Sequence, residues 1–193
     1  MCIRDRPYIV QLSYILFDTT SKNIVIEQDF IIRVPDDVEI SKESSNVHGI
    51  TKEISNRHGI SIVNALDNFN MSLTKADIII AHNITFDTNM IAIESLRNNM
   101  DVRRQFTRKI NYCTMKRTVE LCKITALNKQ NKEYYKYPTL TQLHEFLFNE
   151  TPLGTHNSMA DVFICLRCYF KVKFEEDLCS FSGFKRSFYN ICK

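Results

Sequence analysis

A chain of 193 residues, 44% hydrophobic and 24% charged, has the length of one domain and enough apolar material to bury a core without covalent staples. Four glycines and four prolines exclude collagen-like and low-complexity classes. No apolar run approaches the roughly 18 to 20 residues of a membrane span, and the start, MCIRDRPYIV, lacks a signal-peptide core and cleavage pattern, so a cytoplasmic location with no membrane partner is expected.

The segments Ile9 to Phe17 and Ile24 to Val34 are rich in Ile, Val, Tyr and Phe, and the polar TTSKN between them reads as the turn of an antiparallel hairpin. After Pro35 comes a polar segment ending in VHGIT. Ile62, Leu66, Phe69 and Leu73 then recur at helical spacing. The short apolar run Asp77 to Ala81 suits a strand buried on both faces. Phe86, Met90, Ile93 and Leu96 mark a second helix, and Lys109 to Met115 a further strand. This alternation of strand and helix implies an α/β fold. The basic stretch Lys123 to Tyr137 reads as a loop. Pro138 opens a helix carrying Leu140, Leu143 and Leu147, and Met159, Phe163, Leu166 and Phe170 form the stripe of the last strong helix. The tail from Lys171 is basic and aromatic, without assignable periodicity.

Charge and cysteine usage narrow the chemistry. The net charge is +3, but Val102 to Pro138 gathers Lys and Arg, whereas Asp36 to Asp101 gathers Asp and Glu. One stretch could approach phosphates while the other collects carboxylates; an ordinary solvated basic loop explains the first equally well. The 7 cysteines are odd in number and irregularly spaced, so reduced thiols are expected. Cys165 and Cys168 form a C-x-x-C within an apolar helix pattern, which reads as structural.

Two segments carry residues fit for chemistry. In AHNITFD, a buried strand gives way to a helix, and Asp87 falls where open α/β sheets keep their sites. Asp87 could also simply favour the positive end of the helix. His82 and Asn83 could contact substrate or satisfy loop backbone. In THNSMADV, His156 sits on a loop before a helix capped by Asn157 or Ser158. Asp161, one turn in, lies at the edge of the buried arc, beside Val162 and Cys165 and away from Arg167 and Lys171. Such a carboxylate meets a cation, caps the helix or binds a metal. Two acids at the starts of different helices, with a histidine near one, supply oxygen ligands for Mg²⁺ or Mn²⁺ and a base near neutral pH, as phosphodiester hydrolysis requires.

In this order and spacing, VHGIT, AHNITFD and THNSMAD resemble the later motifs of the DEDD exonucleases with a histidine base, the DnaQ-like superfamily of proofreading subunits and ribonuclease T. The resemblance covers roughly Pro7 to Val172. It implies a ribonuclease H-like mixed sheet flanked by helices, and a 3′-to-5′ exonuclease acting on single-stranded DNA or RNA ends. Two Mg²⁺ or Mn²⁺ ions would assist release of nucleoside monophosphates. Asp87 and Asp161 would be metal ligands, and His156 the general base. His48, Gly49 and Ile50 match an element lining the nucleotide site, and His82, Asn83 and Phe86 are secondary candidates for contacts there.

The family's opening strand ending in D-x-E is absent. FDTT at Phe17 to Thr20 does not replace it, because Thr20 stands where the second acid belongs and the preceding residues resemble the family's second strand. Residues 1–6, MCIRDR, resemble a translated adapter remnant and are set aside. The expected organisation is therefore residues 7–172 as an exonuclease-like domain lacking its first, central strand, and 173–193 as a tail. The chain as written is expected to be unstable and inactive, with roughly 20 to 30 further residues upstream in the gene. A different class also fits: a non-catalytic nucleic-acid-binding or partner-docking module with a decayed site. The sequence does not distinguish DNA from RNA, or fix whether a second copy or a polymerase subunit is a partner.

Overall fold

Two β-strands open the computed structural model, which describes residues 7–100, 106, 108–155 and 157–192. β1 (Gln11–Asp18) and β2 (Asn23–Ile31) pair antiparallel, Gln11 opposite Ile31, with a register shift between Leu16 and Phe17. Their turn is held by Asp18, whose carboxylate accepts from the Thr20 N–H at 2.9 Å and the Ser21 hydroxyl at 2.6 Å. That carboxylate thus closes the turn.

The polar segment that follows holds two short helices, α1 (Lys42–His48) and α2 (Lys52–His58), capped by Ser41 and Thr51. Seven residues are too few for a periodicity to show, so these helices rest on their caps. α2 buries Ser55, whose hydroxyl donates to the Ile32 carbonyl at 2.8 Å and accepts from the Val34 N–H at 3.0 Å. The contact is close: a Cβ at Gly59 would lie 2.5 Å from the Arg33 nitrogen. α3 (Ile62–Lys75) starts at Ser61 and buries Ala65, Leu66 and Leu73 in a cluster with Leu12, Ile32 and Ile91. Its predicted stripe is the face it buries.

β3 (Ile78–Ala81) leads through α4 (Ile84–Arg97) to β4 (Ile110–Cys113), which pairs parallel to β3. The class is mixed α/β, as expected, but the sheet is in pieces. β1 bonds to β2 and β3 bonds to β4, and among the described residues no strand joins the antiparallel piece to the parallel one. Both pieces pack on the long helix Ser158–Phe174.

The basic stretch read as a loop contains more. After two single turns, α5 (Thr114–Arg117) and α6 (Val119–Cys122), β5 (Thr125–Leu127) and β6 (Glu133–Tyr135) form an antiparallel hairpin. Strands of three residues are too short to reveal a period. α7 (Leu140–Phe148) begins with a reciprocal capping box between Thr139 and Gln142.

α8 (Ser158–Phe174) buries Met159, Phe163, Leu166 and Phe170 as its pattern predicts, and also Ile164, Arg167, Cys168 and Tyr169. Arg167, assigned to the polar side, is therefore buried. The unassigned tail is the cause: a 3₁₀ turn (Leu178–Ser180) and α9 (Ser182–Ile191) bring Leu178, Phe184 and Phe188 into the same core, over that side of α8. The six described cysteines are free thiols. Cys165 and Cys168 are buried, and burial raises both thiol pKa values, as a structural pair requires. Among the described residues no helix is long and apolar enough to cross a membrane.

Candidate active site

Asn83 turns the chain from β3 into α4 with a left-handed backbone, φ 71° and ψ 48°, a conformation asparagine tolerates better than most residues. This places Asp87 in the first turn of α4. The residue is exposed overall, but its carboxyl is partly withdrawn from water. That withdrawal from water pushes its pKa up to about 6. Solvent on the open side offsets part of the penalty; the upward direction is the significant part.

Asp161 lies in the first turn of α8, whose start is fixed by Asn157: its side-chain oxygen accepts from the Met159 N–H at 3.1 Å and the Ala160 N–H at 3.2 Å. The two acids share a neighbour. Ionisation of the Cys165 thiol, opposed first by burial, is opposed further by the charges of both Asp87 and Asp161. One buried sulfur on α8 thus lies within electrostatic reach of both carboxylates. Cys192, at the end of α9, also senses Asp161 after its own burial.

His82 is half-buried, and both its ring nitrogens have partners within the chain. Nδ1 lies 2.9 Å from the Thr114 hydroxyl and Nε2 3.0 Å from the Pro138 carbonyl oxygen. It ties the β3–α4 turn to the start of α5 and to the residue ahead of α7, and burial lowers its pKa. Phe86 is exposed. Lys116 on α5 reaches the Thr85 hydroxyl at 3.4 Å, bringing a cation to the start of α4 that only the basic character of its stretch had signalled. Thr114, the partner of His82, had no signal in the sequence.

His48, Gly49 and Ile50 form the α1–α2 connection, with Gly49 left-handed at φ 75°. The Ile50 N–H donates to His48 Nδ1 at 3.1 Å, Ser45 donates to the Ile50 carbonyl at 3.1 Å, and Ile50 is buried. These bonds make a rigid corner of that turn. His156 lies outside the described residues. Next to it in the chain, the Asn157 N–H donates to the Gly154 carbonyl at 3.2 Å.

Residues 4–169 match the family model for exonucleases of the ribonuclease T type. The chain belongs to that exonuclease family, within the DEDD superfamily. No curated protein matches it. Among solved structures, it resembles E. coli exonuclease I bound to a 5cy-dT13 oligonucleotide, at 16% identity and a TM-score of 0.66, over 85% of this chain and 36% of that one. A complex of the same enzyme with a dA16 oligonucleotide gives 0.61 at 16% identity, over 84% and 36%. A product-bound exonuclease I gives 0.65 at 16%, over 93% and 41%. The chain thus spans about two fifths or less of the solved proteins it matches. At this identity the likeness concerns the fold: ribonuclease H-like, with small sheets flanked by helices.

Divalent metal ions are the usual cofactors of this superfamily. Among the described residues no group of three or more His, Cys, Asp and Glu side chains could hold a metal. Asp87 and Asp161 nevertheless suit one Mg²⁺, an ion held commonly by one or two carboxylates with water and substrate phosphate completing its shell. The raised pKa of Asp87 fits as well, since a cation would relieve the cost of its charge.

Proposed function

We propose that this chain carries the catalytic domain of a 3′-to-5′ exonuclease that removes nucleoside monophosphates from single-stranded DNA or RNA ends. The observation that carries the reading is the match of residues 4–169 to the exonuclease family, in a chain that sets Asp87 and Asp161 on the first turns of two helices, α4 and α8. Asp87 and Asp161 would hold Mg²⁺ or Mn²⁺, which when bound would supply positive charge opposite the attacked phosphate. His156 accepts the proton of the attacking water. His82, locked between Thr114 and Pro138, holds the β3–α4 turn so that Asp87 keeps its position, and Asn83 and Phe86 border the bound nucleotide. His48, Gly49 and Ile50 contact the terminal nucleotide. Lys116, at the start of α4, favours the approach of a phosphate.

Two ions need more than two acids. In this reading the remaining carboxylates sit on a strand ending in D-x-E, seated between β1 and β3, which among the described residues are not bonded to each other. Residues 7–192 alone are then nearly inactive. Placing such a strand from a relative ahead of Pro7 should restore Mg²⁺-dependent release of mononucleotides from a labelled oligonucleotide. In that protein, His156→Ala should lower kcat by about 100-fold or more with little change in KM, the scale of general-base loss. Unchanged kcat would defeat the assignment of His156. Asp87→Asn should shift the Mg²⁺ dependence to higher concentration, and an unchanged dependence would defeat its role as ligand.

A second reading is a nucleic-acid-binding or partner-docking module without catalysis, in which the Asp and His positions hold no metal. Binding of oligonucleotides with no metal-dependent hydrolysis in the strand-completed protein would favour it.

A further inference from the structure

The β5–β6 hairpin carries features that the site does not use. Its register sets Thr125 opposite Tyr135 and Leu127 opposite Glu133, so these four share one face, while Ala126 and Tyr134 share the other. The Lys136 N–H donates to the Ile124 carbonyl at 2.9 Å, which extends the pairing one residue past β6, and Tyr137 follows directly in the chain. Tyr134, Tyr135 and Tyr137 are 49%, 44% and 56% exposed, and Leu127 is 61% exposed. Among the described residues none of the three rings stacks on another ring or a cation. About half of each ring's surface is thus left open to solvent.

Charge identifies the occupant. Lys123, Lys129, Lys132 and Lys136 stand on the hairpin or its flanks, against Glu133 alone. The tip is rigid: Asn128 Oδ1 accepts from the N–H groups of Gln130 and Lys132, both at 2.9 Å. Its base is fixed to the candidate site, because Pro138, next after Tyr137, meets His82 through its carbonyl oxygen. Tyr135 and Tyr137, two residues apart on an extended run, have a spacing of about 6.8 Å, twice the repeat of stacked bases.

We propose that the hairpin is a stacking platform for single-stranded nucleic acid, on which Tyr135 and Tyr137 receive bases of the strand leading into the active site while Lys129 and Lys132 meet its phosphates. This deepens the exonuclease reading by naming where the substrate lies beyond its terminal nucleotide, and it rests on that reading for direction only. Stacking on a ring tolerates any base, and lysine contacts with phosphate are equally indifferent to sequence, so the platform serves an enzyme that must advance along any strand.

The test is equilibrium binding by fluorescence anisotropy of end-labelled oligo-dT and oligo-U to residues 1–193, in EDTA so that no turnover occurs. The double variant Tyr135→Ala and Tyr137→Ala should bind about 5- to 30-fold more weakly, the loss expected for one or two stacked bases. The double phenylalanine variant should bind within about twofold of the parent, since the ring and not the hydroxyl supports the base. Lys129→Glu with Lys132→Glu should weaken binding and lower the slope of log affinity against log salt by roughly 0.7 for each lost phosphate contact. Full affinity in the alanine variant overturns the proposal, as does equal weakening in the phenylalanine variant. Failure of the exonuclease reading has a different signature: the strand-completed protein binds oligonucleotides in a tyrosine-dependent way but releases no mononucleotide.

Discussion

Two sets of charges lie along α8, and they are built on opposite rules. At the middle of the helix the buried Arg167 meets both oxygens of Asp177 at 2.8 Å, contacts Glu150, and lies 3.8 Å over the Phe148 ring. His144 completes the set. Its Nδ1 lies 2.9 Å from the Glu150 carbonyl oxygen and its Nε2 3.1 Å from an Arg167 nitrogen, so a neutral ring donates through the first and accepts through the second. Burial lowers the pKa of His144 and so favours that neutral form. Burial also works against the Asp177 charge, but hydrogen bonds from Arg167 and the Cys179 N–H hold its carboxyl below the usual range. At the start of the same helix the rule reverses: burial pushes the Asp87 carboxyl upward, and Asp87 and Asp161 act together on one sulfur. A cation matched to its anions is part of the architecture, whereas a carboxyl whose pKa burial raises is a group whose charge is costly where it stands.

Arg167→Ala tests the paired end most severely. It leaves Asp177, Glu150 and His144 without their common donor, and with two of the three partly solvated the loss should be about 2–4 kcal/mol, read from the urea midpoint. Loss below about 1 kcal/mol would show that the tail, not the charge cluster, holds this end. Asp177→Asn should cost about 1–3 kcal/mol at neutral pH and remove part of the acid sensitivity. The sign follows from its lowered pKa: stability from Asp177 is present above the unfolded value and fades as pH falls through the folded one. An unaltered acid midpoint in Asp177→Asn would contradict this.

Gly154 lies between the two ends. Its φ is 72°, and an added Cβ would sit 3.1 Å from the Ile191 carbonyl oxygen, so Gly154→Ala should destabilise by about 1–2 kcal/mol while loosening the segment entering α8. Hydrogen exchange at Asn157, the cap residue, reports that loosening. Asp87→Asn should act in the opposite direction. Because the Asp87 pKa is raised, the folded protein holds a proton that the unfolded chain has released, and stability falls as pH rises between about 4 and 6. Asp87→Asn should flatten that window and leave the protein more stable than the parent above it, where the parent carries the cost of the ionised carboxyl, with little difference below it. Parallel pH profiles for parent and variant would break the contrast with Asp177.

Much of the fold was legible because long, periodic segments report themselves. The stripes of α3 and α8 are the faces those helices bury, and the β1–β2 hairpin follows from two apolar runs around a polar turn. α1, α2, β5 and β6 were not legible, since seven or three residues do not complete a pattern. α9 has a strongly one-sided character, but its aromatic and basic residues alternate with polar ones in a tail whose partner, the far side of α8, could not be known. That unseen cover is also why Arg167 was taken for a surface residue. At the candidate site, Asp87 and Asp161 could be singled out from residue type and position at helix starts; the internal partners of His82 could not, because Thr114 and Pro138 are 32 and 56 residues away along the chain.

Because α8 packs on both β1 and β3, which do not bond to each other, it acts as the keel of the molecule. The amides of Phe163 to Phe170 can then be released to solvent only when the whole assembly comes apart, so they should be the last to exchange, at the rate of complete unfolding.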